Sequence, residues 1–448
     1  MQSKSFNLLN HSLIKPFKKT IVVDSDKSLS IRSFLIGSIS EGISKVKNVL
    51  ESDDVFSTIN CLKKLGVKIK KISKKSYLIY GKGLGSLLIK KNMKINFGNS
   101  GTLARLLIGI LSTTPNIEIK IQGDNSLNKR SMKKLIELMS VFGAEFLPKK
   151  KFNFPLKLIS TEMPVGINYK AGVSAQLKSA VILAGLNSFG ITEINEIKRS
   201  RDHTENMLAK NSKVIRIKKK KIKKISIFGK KSLSPINMNI PGDPSSAAFF
   251  TALTLLNKNS SIKIKNVGLN STRIGFYELL KKHGAKIKLK NLRKKENEIF
   301  GDIHVKSSKI KPINASREFY VKATDEYPIL FVIAALTQGR SIFKGIKDLA
   351  NKESNRIKEM QKILEQIGVK CITTKDDIKI YGNKLNLNYK QKIFVPNLGD
   401  HRICMSAQIL SLITGIKTQI DNFETVNTSA PSFLKIIKSL GGKFEIEK

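Results

Sequence analysis

The stretch NFGNSGTLARLL at residues 96–107 sets small polar residues at the start of a helix-forming run. Asn99, Ser100, Gly101 and Thr102 leave open backbone N–H groups there, and Arg105 follows Gly101 by four residues, on the same helical face. A helix start of this kind seats an anion, and a residue without Cβ lets a ligand approach the backbone. Taken alone, the stretch is first of all a capped helix with a glycine in the turn before it. Other stretches have to decide.

Several have the same character. VVDSDKSLSIR at 22–32 gathers Lys27, Ser28 and Arg32 around one helix start, two charged donors and a hydroxyl suited to phosphate or carboxylate. SLNKRSM at 126–132 offers Arg130. AGVSAQLKSAVILAGL at 171–186 puts Ser174, Ala175 and Gln176 before an apolar helix, and SRDHTENM at 200–207 adds Arg201, Asp202 and His203. KATDEYPILFVIAAL at 322–336 brings Asp325 and Glu326 just ahead of a buried helix. NKESNRI at 351–357 groups Lys352, Glu353 and Arg356, and GDHRICMSAQILSL at 399–412 groups Asp400, His401 and Arg402. Each is an ordinary capping signal by itself. Recurring in both halves of the chain, they suit an anionic ligand, with Asp325 and Glu353 as proton-transfer groups in a basic surround. GKGLG at 81–85 lacks the strand-to-helix context of a dinucleotide site.

The net charge of +47 raises nucleic-acid binding as an alternative. Only 12 of the 81 basic residues are Arg; the rest are Lys, spread through every segment with no Trp beside them. That is compositional drift rather than a basic face interleaved with aromatics. The densest run, KKKKIKK at 218–224, reads as a solvated strand edge or hairpin. Where lysine suffices for solubility, persisting arginines mark places that need a planar fork, and Arg32, Arg105, Arg130, Arg201, Arg356 and Arg402 all lie in the stretches above. The three cysteines are scattered and odd in number, so neither a disulfide framework nor a zinc site is expected, and a reducing cytoplasm fits. The apolar stretch near 403–416 is too short to span a membrane, and the N-terminus lacks a signal-peptide apolar core.

These residues must be positioned by repeated elements. LKKLGVKI, LMSVFGAEF, LKKHGAKI, LEQIGVKC and IKSLGGKF each read as a helix end, a glycine and the start of a strand. Their glycines, Gly66, Gly143, Gly284, Gly368 and Gly441, are 77, 141, 84 and 73 residues apart. A degenerate copy, MLAKNSKVI at 207–215, fills the double step, so six units are implied. The expected fold is α/β (α+β), two domains built of βαβαββ-like modules. The junction falls near INMNIPGDPSSAAFFTAL at 236–253, where Pro and Gly turns precede Ser245 and Ser246.

Taken jointly and in order, KSLSIR, GNSGTLAR, LNKRSM, SAQLKSA, RDHTE, PGDPSSAAF, DEYP, NKESNR and DHR resemble the enolpyruvyl transferase family, in its EPSP synthase branch and closest to class II. The resemblance implies two similar domains of three βαβαββ units each, an inside-out α/β barrel-like arrangement with the ligand cleft between them. Residues 1–21 with 241–448 would form one domain and 22–240 the other. It implies transfer of the enolpyruvyl group from phosphoenolpyruvate to the 5-hydroxyl of 3-phosphoshikimate, by a monomer in the cytoplasm, without metal or organic cofactor, nucleic acid or membrane. Lys27, Ser28, Arg32, Ser174, Ala175, Gln176, Arg201, Asp325 and Lys352 would bind 3-phosphoshikimate. Lys27, Gly101, Arg130, Gln176, Arg356 and Arg402 would bind phosphoenolpyruvate. Asp325, Glu353 and Lys27 would be catalytic: Asp325 takes the 5-hydroxyl proton, and Glu353 with Lys352 serves the methylene carbon. The sibling acting on UDP-N-acetylglucosamine is disfavoured by DEYP, RDHTE and the KSLSIR helix.

Three departures stand out. Asn355 replaces a family acid expected to orient Arg356, which bears on phosphoenolpyruvate affinity. DSDK replaces the Pro-Gly turn before Lys27. Thr428 stands where many members carry a lysine.

Overall fold

The structure, a computed structural model, describes residues 5–90, 92–219, 221–383, 387–389 and 391–447. It divides into two compact units. One comprises Met1–Asp24, Pro241–Lys294 and Ile299–Lys448; the other comprises Ser25–Ile240 and Lys295–Glu298. Each has its own hydrophobic core.

Among the described residues there are six four-stranded sheets, three in each unit, and none closes into a barrel. In one, Lys94–Asn96 runs parallel to Glu118–Gln122, followed by antiparallel Leu156–Ile159 and Glu145–Leu147. A parallel pair needs a crossover, and the helix Gly101–Thr113 supplies it; Lys133–Val141 links to the last two strands. The order is therefore βαβαββ. It recurs in the sheets beginning with Asn168–Ala171 and Asn314–Ala315. The other three sheets take one strand from a distant part of the chain. Asn237–Asn239 lies parallel beside Glu41–Lys47, Lys18–Ile21 parallel beside Ser261–Gly268, and Asn7–Asn10 between Thr418–Ile420 and Glu445–Glu447. The six-unit count expected from the glycine spacing is what the sheets display.

The repeat glycines end their helices as expected, with φ of +84° at Gly66, +99° at Gly143, +97° at Gly284, +80° at Gly368 and +92° at Gly441. The degenerate copy manages without one: after His203–Leu208 a longer turn, closed by Asn211 N–H to Leu208 C=O, leads into Ile215–Lys219. A second repeat signature went unread. Gly81, Gly229 and Gly382, in IYGK, IFGK and IYGN, sit where a Cβ would come within 2.1, 1.8 and 2.0 Å of the carbonyl oxygens of Ser40, Ser188 and Ala334. The crossover helix ends against the sheet at those points, and only glycine leaves room.

The crossover helix of each repeat is the element that matters for function. Lys27–Ile39, Gly101–Thr113 and Ala175–Leu186 in one unit, and Pro244–Leu256, Tyr327–Ala335 and His401–Thr414 in the other, are buried on nearly every side. Their sequences are apolar or small all round, as a surrounded helix requires. Each fully buried Leu, Ile or Phe contributes on the order of 1.5–3 kcal/mol, so these helices anchor the two cores. The later helices, such as Asp53–Lys64 and Arg356–Glu365, keep one charged face outward. With the middle of every crossover helix committed to packing, only its first turn is available for chemistry.

Lysines line the outermost strands Lys68–Ser73, Ile215–Lys219 and Lys286–Lys295, where they guard unpaired edges. The run at 218–224 is a hairpin between Ile215–Lys219 and Lys223–Phe228, with Lys220 outside the described residues. One member departs from the solvated reading: Lys223 is buried. Among the described residues, no helix is long and apolar enough to cross a membrane.

Candidate active site

All six crossover helices open on one of the polar stretches singled out above. In the unit of Ser25–Ile240, three starts are wired together. The cap of Lys27–Ile39 is Asp26, whose Oδ1 accepts from Leu29 N at 2.8 Å. Half-buried Lys27 pairs with Asp54 at 3.1 Å. Ser28 gives its carbonyl to Arg32 Nη1 at 3.1 Å, while Arg32 Nε donates to Thr204 Oγ1 at 2.9 Å and Nη2 to Ser179 Oγ at 3.2 Å. Arg32 is thus buried with its fork held by three oxygens.

Ser100 caps Gly101–Thr113 by accepting from Leu103 N. Arg105 Nη1 donates to Gly101 O at 3.1 Å and to Gln176 Oε1 at 2.9 Å, and Gln176 Nε2 donates to Thr102 Oγ1 at 2.9 Å. The helix 175–186 presses against Gly101–Thr113 so closely that a Cβ on Gly109 would lie 2.6 Å from Ala180 O. Ser174 caps that helix, and Ala175 opens it. Arg130 Nη2 donates to Asn99 Oδ1 at 2.7 Å, with Asn99 in turn anchored to Asp124. A Cβ on Gly101 would stand 2.7 Å from Arg105 Nη1 and 3.3 Å from Arg130 Nη1. Two guanidiniums therefore lie over the bare first residue of the helix. Arg201 stands half-buried just before His203–Leu208.

The other unit carries a more acidic set. Arg356, 1% exposed, donates from Nε to Asp400 Oδ2 at 2.9 Å, and from Nη2 to Asp400 Oδ1 at 3.2 Å and Glu353 Oε2 at 2.7 Å. Its Nη1 is 3.8 Å from Asp325 Oδ1. Burial works against the cation, but Asp400, Glu353 and Asp325 together hold its pKa above the ordinary arginine value. Breaking such a buried set from one side costs about 3–5 kcal/mol. Asp400 also caps His401–Thr414 through Arg402 N at 3.0 Å. Arg402 is buried, with its guanidinium 5.8 Å from the centre of the Phe249 ring. Lys352 is half-buried in the loop before Arg356.

The structure thus links Gly101 and Gln176 through Arg105, ties Arg32 to the neighbouring helices through Ser179 and Thr204, and holds Arg130 on Asn99 beside Gly101 in one unit; in the other it gathers Asp325 and Glu353 around Arg356. Lys27 is engaged by Asp54 instead. The expected departures resolve locally. Asn355 caps Arg356–Glu365 by accepting from Lys358 N at 3.2 Å, so position 355 does not orient Arg356; Asp400 and Glu353 do. Asp24 replaces the Pro-Gly turn with side-chain bonds to Ser432 N at 2.7 Å and Oγ at 2.9 Å. Thr428 spends its hydroxyl on Thr425 O at 2.8 Å.

Sequence reasoning missed the roles of Asp400, Ser179 and Thr204, and missed Arg273 altogether. Arg273, 2% exposed, donates to Asp243 Oδ1 at 3.2 Å and Ser245 Oγ at 2.9 Å, and the Ser245 hydroxyl bonds Glu326 beside Asp325. The scarcity of arginine was the available signal.

Six four-stranded repeats, each with a buried crossover helix that opens in a polar turn, define the class of α/β protein, and Arg32, Arg105 and Arg402 lie in the early turns of three of those helices. The family model for EPSP synthase (3-phosphoshikimate 1-carboxyvinyltransferase) matches residues 12–437, and the chain belongs to that family. It is 38% identical to the 3-phosphoshikimate 1-carboxyvinyltransferase of Petrotoga mobilis over 423 residues, covering 94% of this chain and 96% of that protein. To the one from Thermodesulfovibrio yellowstonii it is 39% identical over 428 residues, covering 95% and 98%. The solved EPSP synthase of Acinetobacter baumannii superposes with a TM-score of 0.83 at 33% identity, over 99% of this chain and 100% of that one.

Proposed function

We propose that this chain transfers the carboxyvinyl group of phosphoenolpyruvate to the 5-hydroxyl of 3-phosphoshikimate, releasing phosphate. The observation that carries this reading is the family match along nearly the whole chain, to relatives that bear the name of that activity. As Asp325 takes the hydroxyl proton, the 5-oxygen bonds to C2 of phosphoenolpyruvate, and a proton from Glu353, aided by Lys352, converts the methylene C3 to methyl. The tetrahedral adduct then loses phosphate from C2 and a proton from C3, which restores the double bond.

Arg130, Arg356, Arg402 and the Gly101 backbone would hold phosphoenolpyruvate, with Lys27 and Gln176. Lys27, Ser28, Arg32, Ser174, Ala175, Gln176, Arg201 and Lys352 would hold 3-phosphoshikimate. Planar guanidiniums suit both phosphate and carboxylate, and preformed donors are worth most where charge develops in the transition state. The roles of Asp325 and Glu353 draw support from their shared neighbour Arg356. We infer that the chain works as a monomer in the cytoplasm.

Phosphate release with both substrates present tests the reading. Asp325→Asn should lower turnover by about 10²–10⁴ in a protein that stays folded, since Asp400 and Glu353 still hold Arg356. Wild-type protein that releases no phosphate would end the proposal, and an active Asp325→Asn would remove that residue from its role.

A further inference from the structure

One buried cluster lies outside every role given above. Lys178 and Glu196 are fully buried, Glu205 is 1% exposed and Lys223 4%. Lys178 Nζ sits 2.8 Å from Glu196 Oε1 and 2.8 Å from Glu205 Oε1; Lys223 Nζ sits 3.0 Å from Glu205 Oε1 and 3.5 Å from Glu196 Oε2. Two ammoniums and two carboxylates close a ring with no net charge. Burial pushes the Glu205 carboxyl up, yet the two lysines overturn that and hold it below the usual carboxylate range.

The ring joins the elements that carry the phosphate-binding candidates. Lys178 lies in the first turns of Ala175–Leu186, behind Ser174 and Gln176. Glu196 ends the strand Ile191–Glu196 and accepts from Ser200 N at 2.8 Å and Ser200 Oγ at 2.7 Å, which fixes the residue before Arg201. Directly beside it runs a second layer made by the sequence neighbours of Lys178 and Glu205: Ser179 Oγ and Thr204 Oγ1 are 2.8 Å apart, and both accept from Arg32. A buried ion set is seldom the most stabilising filling for a core, so its retention calls for another reason, such as fixing a register.

We propose that Lys178, Glu196, Glu205 and Lys223 form a positioning network that fixes Arg32, Arg201 and the helix start at residues 174–176 in the geometry that recognises 3-phosphoshikimate. This rests on the substrate reading above.

The test is calorimetric binding of 3-phosphoshikimate, run beside steady-state kinetics on the same samples of wild type, Lys178→Met and Ser200→Ala. Lys178→Met should weaken binding and raise the KM for 3-phosphoshikimate about tenfold, with the KM for phosphoenolpyruvate moving less than about threefold, because of the residues the network positions only Gln176 is shared with phosphoenolpyruvate, whose other partners Lys27, Gly101, Arg130, Arg356 and Arg402 lie outside it. Ser200→Ala keeps every ion pair and removes one hydroxyl donor to Glu196; it should weaken 3-phosphoshikimate binding about threefold in a protein that stays folded, with its melting temperature lowered by no more than a few degrees. It decides the matter if Lys178→Met does not fold. Equal changes in both KM values, or no change in a folded variant, would overturn the network's role. Wild type that binds 3-phosphoshikimate without turnover refutes the proposed reaction and leaves the binding comparison decisive; wild type that binds none overturns both.

Discussion

Replacing Gly101 with alanine puts a methyl group 2.7 Å from Arg105 Nη1 and 3.3 Å from Arg130 Nη1. The first distance lies several tenths of an ångström inside contact, and the obstacle is the far end of a flexible side chain, so Arg105 moves and the helix stays. In moving, it strains or gives up one of its bonds, to Gly101 O at 3.1 Å or to Gln176 Oε1 at 2.9 Å. A hydrogen bond to a charged group is worth about 1.5–3 kcal/mol, and about 1.4 kcal/mol is tenfold in affinity. Stability is buffered, because an alanine in a helix gains roughly 0.5–1 kcal/mol over glycine. Gly101→Ala should therefore raise the KM for phosphoenolpyruvate roughly tenfold, with a melting temperature close to that of wild type. If glyphosate competes for the same seat, as the EPSP synthase resemblance implies, it should lose more than phosphoenolpyruvate does. Steady-state phosphate release against phosphoenolpyruvate, with and without glyphosate, reads both effects. A double-mutant cycle with Arg105→Ala shows whether they pass through Arg105: the alanine should cost much less once that guanidinium is gone. An unchanged KM in folded Gly101→Ala, or fully additive effects in the cycle, would refute the reasoning and leave Gly101 as part of a helix cap alone.

Two further outcomes follow from the same geometry. Asn355→Ala should cost about 1 kcal/mol of stability through the lost cap, with Asn355→Asp close to neutral and both KM values unmoved; chemical denaturation beside kinetics checks this, and a KM shift for phosphoenolpyruvate would return position 355 to the orientation of Arg356. Glu205 has a folded pKa below its ordinary value, so the stability it contributes is fully present above that value and is lost as pH falls through the folded one. The difference in unfolding free energy between wild type and Glu205→Gln should accordingly be largest near neutrality and shrink below about pH 4, and a difference constant into acid would mean that the carboxylate is not what the two lysines hold.

Much of this architecture was readable because the repeat announces itself chemically. A helix that must stop and turn into a strand needs a left-handed residue, and Gly66, Gly143, Gly284, Gly368 and Gly441 each supply it at φ above +80° or equal to it. The exchange of strands was not readable in this way. Asn237–Asn239 and Lys18–Ile21 are three- and four-residue strands whose partners lie some two hundred residues away, and nothing local names those partners. The close approach at Gly81, Gly229 and Gly382 was in plain view as a repeated aromatic-Gly-polar triplet, but its cause is a carbonyl from another element, which appears only once the chain is folded. In the site, charged residues next to helix starts were easy to nominate. Their partners were harder: Asp400 looks like a cap and is one, while its second oxygen, equally important, holds Arg356.

The scarcity of arginine sorts the candidate stretches more sharply than the net charge does, for a physical reason. A chain that drifts toward lysine keeps arginine where a point charge on a flexible stem cannot replace a planar fork. Of the 12 arginines, Arg199, Arg216, Arg293, Arg317 and Arg340 are exposed, and the other seven are buried or half-buried. Six of those seven lie in the stretches nominated for anion binding; the seventh, Arg273, ties Asp243 and Ser245 together next to Glu326. The converse holds for lysine. At the solvated edges its presence says nothing about function, since drift accounts for it, whereas Lys178 and Lys223 are buried against two glutamates, where drift toward soluble side chains offers no explanation. In a strongly basic chain the informative cations are those found against the compositional trend, either in identity or in burial, and in the unit of Ser25–Ile240 both kinds meet where Arg32 rests on Ser179 and Thr204, each adjacent in sequence to a member of the buried ring.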